Sequence, residues 1–312
     1  MEYVDFLEDV TECIRVKMDG VYEIKRNHVI KNNSVELDGV VFFKEDDTIS
    51  PNIYLNSYYD RFLNGEELDS IADEIIHVYQ QSVGEPGIEY DDFSYTWDNM
   101  KDKIIYRLVN YKENRLMLEE VPHIRFLDLA ITFHCVVKQE EEGIGTIRIT
   151  NEHMQIWEVT TSDLLHLASQ NTQRRFPVVI KPMSEVIADI LKKELVLAGD
   201  MTDESKEEMI NEVKNGESEI PMYIMSNTIG INGATVMIYK NAIKQFAIEC
   251  KCDFYILPSS IHEVILVPLL ERFLKEDLIQ MVRDVNQTQV PKQEILSNQV
   301  YIYHRESNVI QM

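Results

Sequence analysis

The sequence has few of the features that mark secreted, disulfide-bonded or membrane proteins. Its 312 residues include only four cysteines, which are too few and too scattered for a disulfide framework. The longest apolar runs, such as residues 264–270, are far shorter than the roughly 20 residues that cross a bilayer. The N-terminal stretch MEYVDFLEDV is acidic and carries no basic segment followed by an apolar one, so no signal peptide is expected. Together these absences predict a cytoplasmic protein without a membrane partner.

The common metal-binding and cofactor-binding patterns are also missing. The 8 histidines never occur as H-x-x-x-H or H-E-x-x-H, and Cys250-Lys-Cys252 does not have the spacing of a zinc-binding pair. Gly143-Ile-Gly145 lacks the third glycine and the following helix of a dinucleotide fingerprint. The turn at residues 226–234 lacks the lysine of a P-loop. We therefore predict no metal ion and no cofactor.

Positive charge is scarce, with 30 Lys and Arg against 54 Asp and Glu and a formal net charge of −24. Such a chain repels a phosphate backbone, so no nucleic-acid partner is expected. The acidity is concentrated in the first two-thirds, because residues 220–312 hold 8 basic and 9 acidic residues. The remaining partner classes are an unidentified protein or a small ligand, and the oligomeric state is left open.

The N-terminal region, residues 1–120, shows a helix, a β-meander and two further helices in its hydrophobic pattern. Residues 3–18 are amphipathic, and three β-rich stretches follow, VYEIKRNHVI, SVELDGVVFF and NIYLNSYY. Apolar residues from Leu68 to Tyr79 recur at helical spacing. A second helix is predicted over residues 92–117, on the stripe Trp97, Met100, Ile104, Leu108 and Tyr111.

The C-terminal region, residues 121–312, is predicted to be an α+β domain. Residues 127–137 form a nearly continuous apolar run typical of a buried strand, and Thr150 and Thr160 are candidate helix N-caps. Residues 200–219 are strongly acidic and indicate an exposed excursion. The last third predicts the order β-β-α-β-β-α-β, in which MYIMS and ATVMIY are strands joined by an Asn232-Gly233 hairpin turn. The fold class is thus α+β, with largely antiparallel mixed sheets and flanking helices.

The stretch YILPSSIHEVILVP, residues 255–268, contains the most concentrated polar chemistry. In an extended segment Ser260 and His262 share one face, which permits a serine hydrolase hypothesis using Ser260 or Ser259 with His262. However, the stretch has no G-x-S-x-G elbow and predicts strand-turn-strand. Serines in turns commonly bind backbone amides, so we assign no catalytic residue. We expect the turns at 227–233 and 258–262 to lie near each other at one end of the sheet.

Four segments, TIRITNEHMQIW, LLHLASQNT, MYIMSNTIGINGATVMIY and DFYILPSSIHEVILVP, resemble a family of uncharacterised bacterial proteins, often encoded by gut anaerobes, that is defined by a domain of unknown function. A more distant similarity is to a second uncharacterised bacterial family with NxxGINGA and LPSSxHEVI segments. The resemblance covers about residues 35–312 and implies an intracellular bacterial protein, without implying an activity. It gives weight to seven positions, which are our candidate binding residues: Asn227, Asn232, Gly233, Ser259, Ser260, His262 and Glu263.

The leading hypothesis from the sequence is a non-enzymatic binding or regulatory module that recognises a protein or small ligand near the 227–233 and 258–263 turns. It depends on polar turn chemistry in the near-neutral part of an acidic chain. The alternatives are the serine hydrolase described above and an accessory protein of a mobile element or of host defence.

Overall fold

The structure is a computed structural model that describes residues 1–44, 51–83, 96–139, 143–197, 203–215, 221–270 and 274–312. The chain forms two compact units, Met1–Ser94 and Tyr95–Met312. The helices and antiparallel sheets of both units give an α+β fold, as the sequence predicts. Within the described ranges, no helix is long and apolar enough to cross a membrane. Those ranges also contain no group of three or more His, Cys, Asp or Glu side chains that could hold a metal ion.

The first unit packs helices against a three-stranded antiparallel sheet with the order β1-β2-β3. Its elements are α1 (Tyr3–Lys17), β1 (Glu23–Ile30), β2 (Glu36–Phe43), β3 (Asn52–Tyr54), α2 (Asn56–Leu63) and α3 (Leu68–Val83). The predicted meander is present, but NIYLNSYY is a strand only over Asn52–Tyr54 and then becomes helix α2. The apolar stripe of α3 enters a core that includes Phe6, Phe42 and Tyr79, so the helix predicted around Leu68–Tyr79 is confirmed.

The second unit contains two antiparallel sheets. One has the order β4-β6-β5 with β7 also paired to β6, and the other has the order β13-β12-β10-β11-β9-β8. Its elements are α4 (Trp97–Met100), β4 (Ile104–Asn110), α5 (Arg115–Glu120), β5 (His123–Phe126), β6 (Leu129–Gln139), β7 (Ile144–Arg148), α6 (Asn151–Trp157), α7 (Thr161–Arg175), β8 (Val178–Pro182), α8 (Met183–Leu197), α9 (Asp203–Asn215), β9 (Tyr223–Asn227), α10 (Ala242–Cys250), β10 (Phe254–Leu257), β11 (Val264–Pro268), α11 (Lys275–Thr288), β12 (Tyr301–His304) and β13 (Val309–Gln311).

The single helix predicted over residues 92–117 is wrong, because residues 104–110 are strand β4 and only the short helix α4 and the start of α5 are helical. Residues 92–95 lie outside the described part of the chain. Ile104 and Leu108 are four residues apart, a spacing that fits one helix face and equally one strand face. The β-branched and aromatic content of IIYRLVN favours the strand. Since β4 pairs with β6 along its whole length, residues 104–120 belong to the second unit. The boundary between the units therefore lies earlier than the predicted position near residue 120.

The predicted second strand of the C-terminal unit, ATVMIY, is also wrong. Residues Gly233–Ile238 form a 3₁₀ helix, which takes the place of the second strand in the predicted β-β-α-β-β-α-β order. The structure also has an additional last strand, β13, that this order does not include. A short apolar run does not distinguish a buried strand from a buried helical turn by its periodicity. Here Thr235 donates a side-chain hydrogen bond of 2.9 Å to the Asn232 carbonyl, which supports the first helical turn.

Several local predictions for the second unit are confirmed. Most of the apolar run predicted at 127–137 lies in β6, which extends from Leu129 to Gln139, and β7 pairs back onto it. Thr150 and Thr160 cap α6 and α7, each in a capping box. Within the acidic excursion at 200–219, the described residues form helix α9, while residues 200–202 and 216–219 lie outside the described part of the chain.

Asp128, in the short turn between β5 and β6, joins the two sheets of the second unit. Its carboxylate accepts hydrogen bonds of 2.6 Å from the hydroxyl of Tyr301 and of 2.6 Å from the hydroxyl of Ser297. Burial and the Asp128 charge raise the pKa of Tyr301, so its phenol is protonated and donates to the carboxylate. This charge-assisted pair connects the β5–β6 turn to strand β12.

Candidate functional site

The two polar turns identified in the sequence contact each other directly. Ser226 donates a side-chain hydrogen bond of 2.7 Å to the carbonyl of His262. The backbone N–H of Asn232 donates to the Nδ1 of His262 at 3.4 Å, and the N–H of Ala234 donates to the Ile261 carbonyl at 3.1 Å. The expectation that the turns lie near each other at one end of the sheet is confirmed.

Gly233 is the point of closest approach between the turns. A Cβ atom at this position would collide with the hydroxyl of Ser226 and with the carbonyl oxygen of His262, and it would lie 2.9 Å from the backbone nitrogen of Asn227. The preceding residue, Asn232, has a φ of 50°, in the left-handed region that asparagine tolerates better than most residues. The Asn232-Gly233 pair is therefore required by sterics, although it does not form the predicted hairpin.

The side chain of Asn227 is buried and spans its own turn. Its amide donates to the carbonyl of Ile231 at 2.9 Å, and its oxygen accepts from the N–H of Ile229 at 3.1 Å. Both ends of the side chain thus satisfy backbone groups of the turn, as asparagine side chains in turns commonly do.

Ser260 and His262 do not have the geometry of a catalytic dyad. The Ser260 hydroxyl, in a side chain that is 7% exposed, accepts a hydrogen bond of 2.8 Å from the backbone N–H of His262. The His262 ring has Nδ1 at the Asn232 N–H and Nε2 at 3.9 Å from the carboxylate of Glu294. A general base must lie within hydrogen-bond reach of the hydroxyl proton that it removes. Among the described contacts, neither ring nitrogen is bonded to a serine hydroxyl.

Ser259 and Glu263, the two remaining candidates, are half-buried at the same turn. Among the described residues we find no hydrogen-bond or ion-pair partner for either side chain. The structure therefore brings all seven candidates to one pair of turns, but five of them, Asn227, Asn232, Gly233, Ser260 and His262, contact the protein's own backbone there.

A cleft of about 710 Å³ lies at the other end of the 3₁₀ helix that begins at Gly233. Its lining is mainly apolar. It comes from the two sheets of the second unit, from α7 and α10, and from the 3₁₀ helix itself. The apolar lining residues include Tyr106, Ile131, Leu165, Met237, Ile243 and Ile310. A concave site of this size with an apolar floor is typical of pockets for small molecules.

Polar groups also line the cleft. Lys240 and Lys244 line it, and among the described residues neither ammonium group has a hydrogen-bond or ion-pair partner. The ring of His166 is 3.1 Å from the amide nitrogen of Gln170. Burial raises the pKa of Tyr239 to about 12, so this phenol remains protonated at neutral pH, and it donates a hydrogen bond to the Phe176 carbonyl at 3.0 Å. In the part of the chain that the structure describes, the cleft thus combines a mainly apolar lining with two unpaired cations.

The sequence did not indicate the cleft, because its lining comes from segments that are distant in the chain. The sequence predicts a strand for the segment that contains Met237 and Ile238, whereas the structure has a 3₁₀ helix there. It predicts a helix for the segment that contains Tyr106, whereas the structure has strand β4. The available signal was the pair Lys240 and Lys244, which are four residues apart next to an apolar run in a chain of strongly negative charge.

Comparisons with known proteins assign the chain to a family without assigning an activity. No curated protein and no solved structure matches the chain. The model of DUF5688, described as a family of unknown function, matches residues 3–305. Because this match covers nearly the whole chain, the protein belongs to the DUF5688 family.

Proposed function

We propose that the protein is a non-enzymatic binding module, and that its second unit takes a small ligand with an apolar body and an acidic group in the cleft. The observation that carries this proposal is the mainly apolar lining of the cleft, which also includes the two lysines Lys240 and Lys244. Burial of an apolar body contributes a favourable transfer free energy of roughly 25 cal/mol per Å², part of which offsets the cost of association. The ammonium groups supply orientation and the preference for an acid.

The two turns position this site and do not themselves bind the ligand. The 3₁₀ helix Gly233–Ile238 begins at the contact between Gly233 and His262 and ends at the cleft wall. Its six residues span about 12 Å at the rise of a 3₁₀ helix. The ligand site therefore lies near the turns at 227–233 and 258–263, and their hydrogen bonds hold its wall in place.

The cleft residues support binding and not catalysis. The phenol of Tyr239 is protonated and already bonded to a carbonyl, and the His166 ring contacts Gln170. Ser162 and Ser169 line the cleft on either side of His166, but the Ser169 hydroxyl donates to the His166 carbonyl at 2.9 Å. Among the described hydrogen bonds, none joins either serine hydroxyl to the His166 ring, as activation of a nucleophile by a base requires. A fluorophosphonate probe should accordingly leave Ser259 and Ser260 unlabelled, and labelling of either serine at neutral pH would restore the hydrolase hypothesis.

The first experiment uses an anionic naphthalene sulfonate dye, which pairs an aromatic body with a negative charge. We expect saturable binding that decanoate displaces better than decanol, and decanol better than decylammonium. Replacing both lysines, Lys240→Gln with Lys244→Gln, should weaken dye and decanoate binding about 3- to 10-fold, as expected for exposed charge pairs. Lys275→Gln, on α11 and outside the cleft lining, is the control.

A second pair of variants tests the location. Ser169 lines the cleft from α7, and the neighbouring Gln170 is exposed and does not line it. Ser169→Phe should therefore fill the cleft and reduce dye affinity more than 10-fold (about 1.4 kcal/mol), while Gln170→Phe should leave it unchanged. Equal binding by the two phenylalanine variants would refute the proposed site, and an equal preference for decanoate and decylammonium would refute the acidic ligand.

A further inference from the structure

One face of the sheet formed by β4, β6 and β7 carries basic side chains at positions brought together by strand pairing. Side chains alternate between the faces of a strand. Ile104, Tyr106 and Leu108 of β4 enter the main core, so Arg107 lies on the opposite face. Arg107 pairs across the strands with Thr132, and Arg148 of β7 pairs with His134 two residues further along β6. The two arginines therefore approach the Thr132–His134 pair from opposite sides of β6.

The centre of this face is buried and polar. Thr132 is 1% exposed and His134 is 7% exposed, and the Thr132 hydroxyl lies 3.2 Å from the Nε2 of His134. Burial, followed by the charges of Arg107 and Arg148, lowers the pKa of His134 well below its usual value. The ring is thus neutral at physiological pH, and the positive charge of the cluster belongs to the two guanidinium groups.

The arginines lack the partners that this acidic chain supplies elsewhere. The Nε atom of Arg107 is buried without a hydrogen-bond partner, and within the described ranges no carboxylate lies within 4.0 Å of Arg107 or Arg148. By contrast, Arg61 contacts the carboxylates of Glu66 and Glu74 at 2.6–2.8 Å. A buried guanidinium nitrogen without an acceptor is unfavourable.

Burial and the nearby Arg148 charge lower the pKa of Arg107 to about 10, which leaves it charged at neutral pH. Other basic groups on this face are already engaged. Arg125 lies 4.8 Å from the ring centroid of Tyr111 and donates to the Leu127 carbonyl, and His123 contacts the Val121 carbonyl through Nδ1. Glu120 interacts with Arg148 only at a longer distance than an ion pair. Among the described residues of this face, Arg107 and Arg148 are thus the two arginines for which no hydrogen-bond or ion-pair partner is found.

We propose that Arg107 and Arg148 bind a small tetrahedral oxyanion, a phosphate group, above the Thr132–His134 pair. The planar guanidinium fork donates two parallel hydrogen bonds to phosphate oxygens, and two forks satisfy most of its acceptors. A compact anion is favoured over a polyanion, because the net charge of −24 repels an extended chain of phosphates. This site lies on the opposite sheet face from Tyr106 and Ile131 of the cleft, so it goes beyond the proposed function.

Calorimetric titrations with inorganic phosphate and with glucose 6-phosphate, using glucose and sodium chloride as blanks, test this site in the full-length protein. We expect saturable binding of at least one of the two phosphate compounds at 0.15 M salt. Tighter binding of inorganic phosphate would identify the ligand as the free anion, and tighter binding of glucose 6-phosphate would identify it as a phosphorylated small molecule. Arg107→Gln and Arg148→Gln should each weaken it about 10- to 100-fold, the effect of losing hydrogen bonds between charged groups.

The controls separate this site from the cleft and from general surface charge. Two control variants should bind phosphate like the unmodified protein. One is Arg283→Gln, at an exposed position of α11, and the other is the double variant of the cleft, Lys240→Gln with Lys244→Gln. The His134 ring signals in an NMR spectrum should shift on phosphate addition. Arg148→Gln, at an exposed position, keeps the test decisive if Arg107→Gln fails to fold. Absence of saturable binding by either phosphate compound, or unchanged affinity in Arg148→Gln, would overturn the proposal.

Discussion

Replacing Gly233 with alanine tests the contact between the two turns on which the cleft wall depends. The added methyl group would collide with the Ser226 hydroxyl and with the His262 carbonyl oxygen, and it would lie 2.9 Å from the Asn227 nitrogen. The hydroxyl can rotate away, but the other two atoms belong to the backbone. Relief of the collision therefore requires the turns to separate.

The expected cost has two parts. Overpacking of one methyl group in a rigid environment costs about 1–3 kcal/mol. Rotation of Ser226 also breaks its 2.7 Å hydrogen bond to the His262 carbonyl, which contributes about 0.5–1.5 kcal/mol. We therefore expect Gly233→Ala to reduce the free energy of unfolding of the second unit by about 1.5–4.5 kcal/mol.

The assay is urea unfolding followed by tryptophan fluorescence, because both tryptophans, Trp97 and Trp157, lie in the second unit and report on it selectively. Gly143→Ala is the matched control, since a methyl group there meets no atom within 4 Å. It should change the unfolding free energy by less than about 0.5 kcal/mol. If both variants unfold at the same urea concentration with unchanged slopes, the close approach at Gly233 is refuted.

Three further variants test separate contacts. The folded pKa of His134, which is buried and neutral, is depressed below the unfolded value of about 6.5, so its contribution to stability is complete above that pH and is lost as the pH falls. From pH 7 to pH 5, urea unfolding should show His134→Gln losing less stability than the unmodified protein, by up to about 2 kcal/mol, and equal losses would contradict this. Tyr301→Phe removes a 2.6 Å hydrogen bond to the Asp128 carboxylate and should cost about 1.5–3 kcal/mol in the same assay, and a neutral effect would mean that the carboxylate is otherwise satisfied. Thr160→Ala removes the cap that accepts from the Asp163 backbone N–H and should cost about 1 kcal/mol, whereas no loss of stability would show that the cap contributes nothing.

Parts of the fold could be predicted because one local signal dominated. The stripe of α3 and the caps of α6 and α7 involve residues within a few positions of each other. Strand β4 was missed because a spacing of four satisfies both helix and strand periods, and only its pairing with β6 decides between them.

The candidate site was predictable only as a location. The sequence identified the two turns, since asparagine, glycine and serine are typical turn residues. It could not show that His262 would accept a hydrogen bond from the Asn232 backbone and not from a serine hydroxyl, because that depends on how two distant segments pack. The arginine pair was hidden for the same reason, since Arg107 and Arg148 meet only through strand β6.

The pairing of Asp128 with Ser297 and Tyr301 also has a consequence for synthesis on the ribosome. The partners are separated by 169 and 173 residues in the chain. Translation proceeds at about 5–20 residues per second, so the Asp128 carboxylate is synthesised roughly 8 to 35 seconds before its partners in and near β12. The sheet and core of the first unit involve only residues before position 95. We therefore expect the nascent chain to expose an unfinished second unit behind a folded first one, which makes that interval the time when the protein most needs a chaperone.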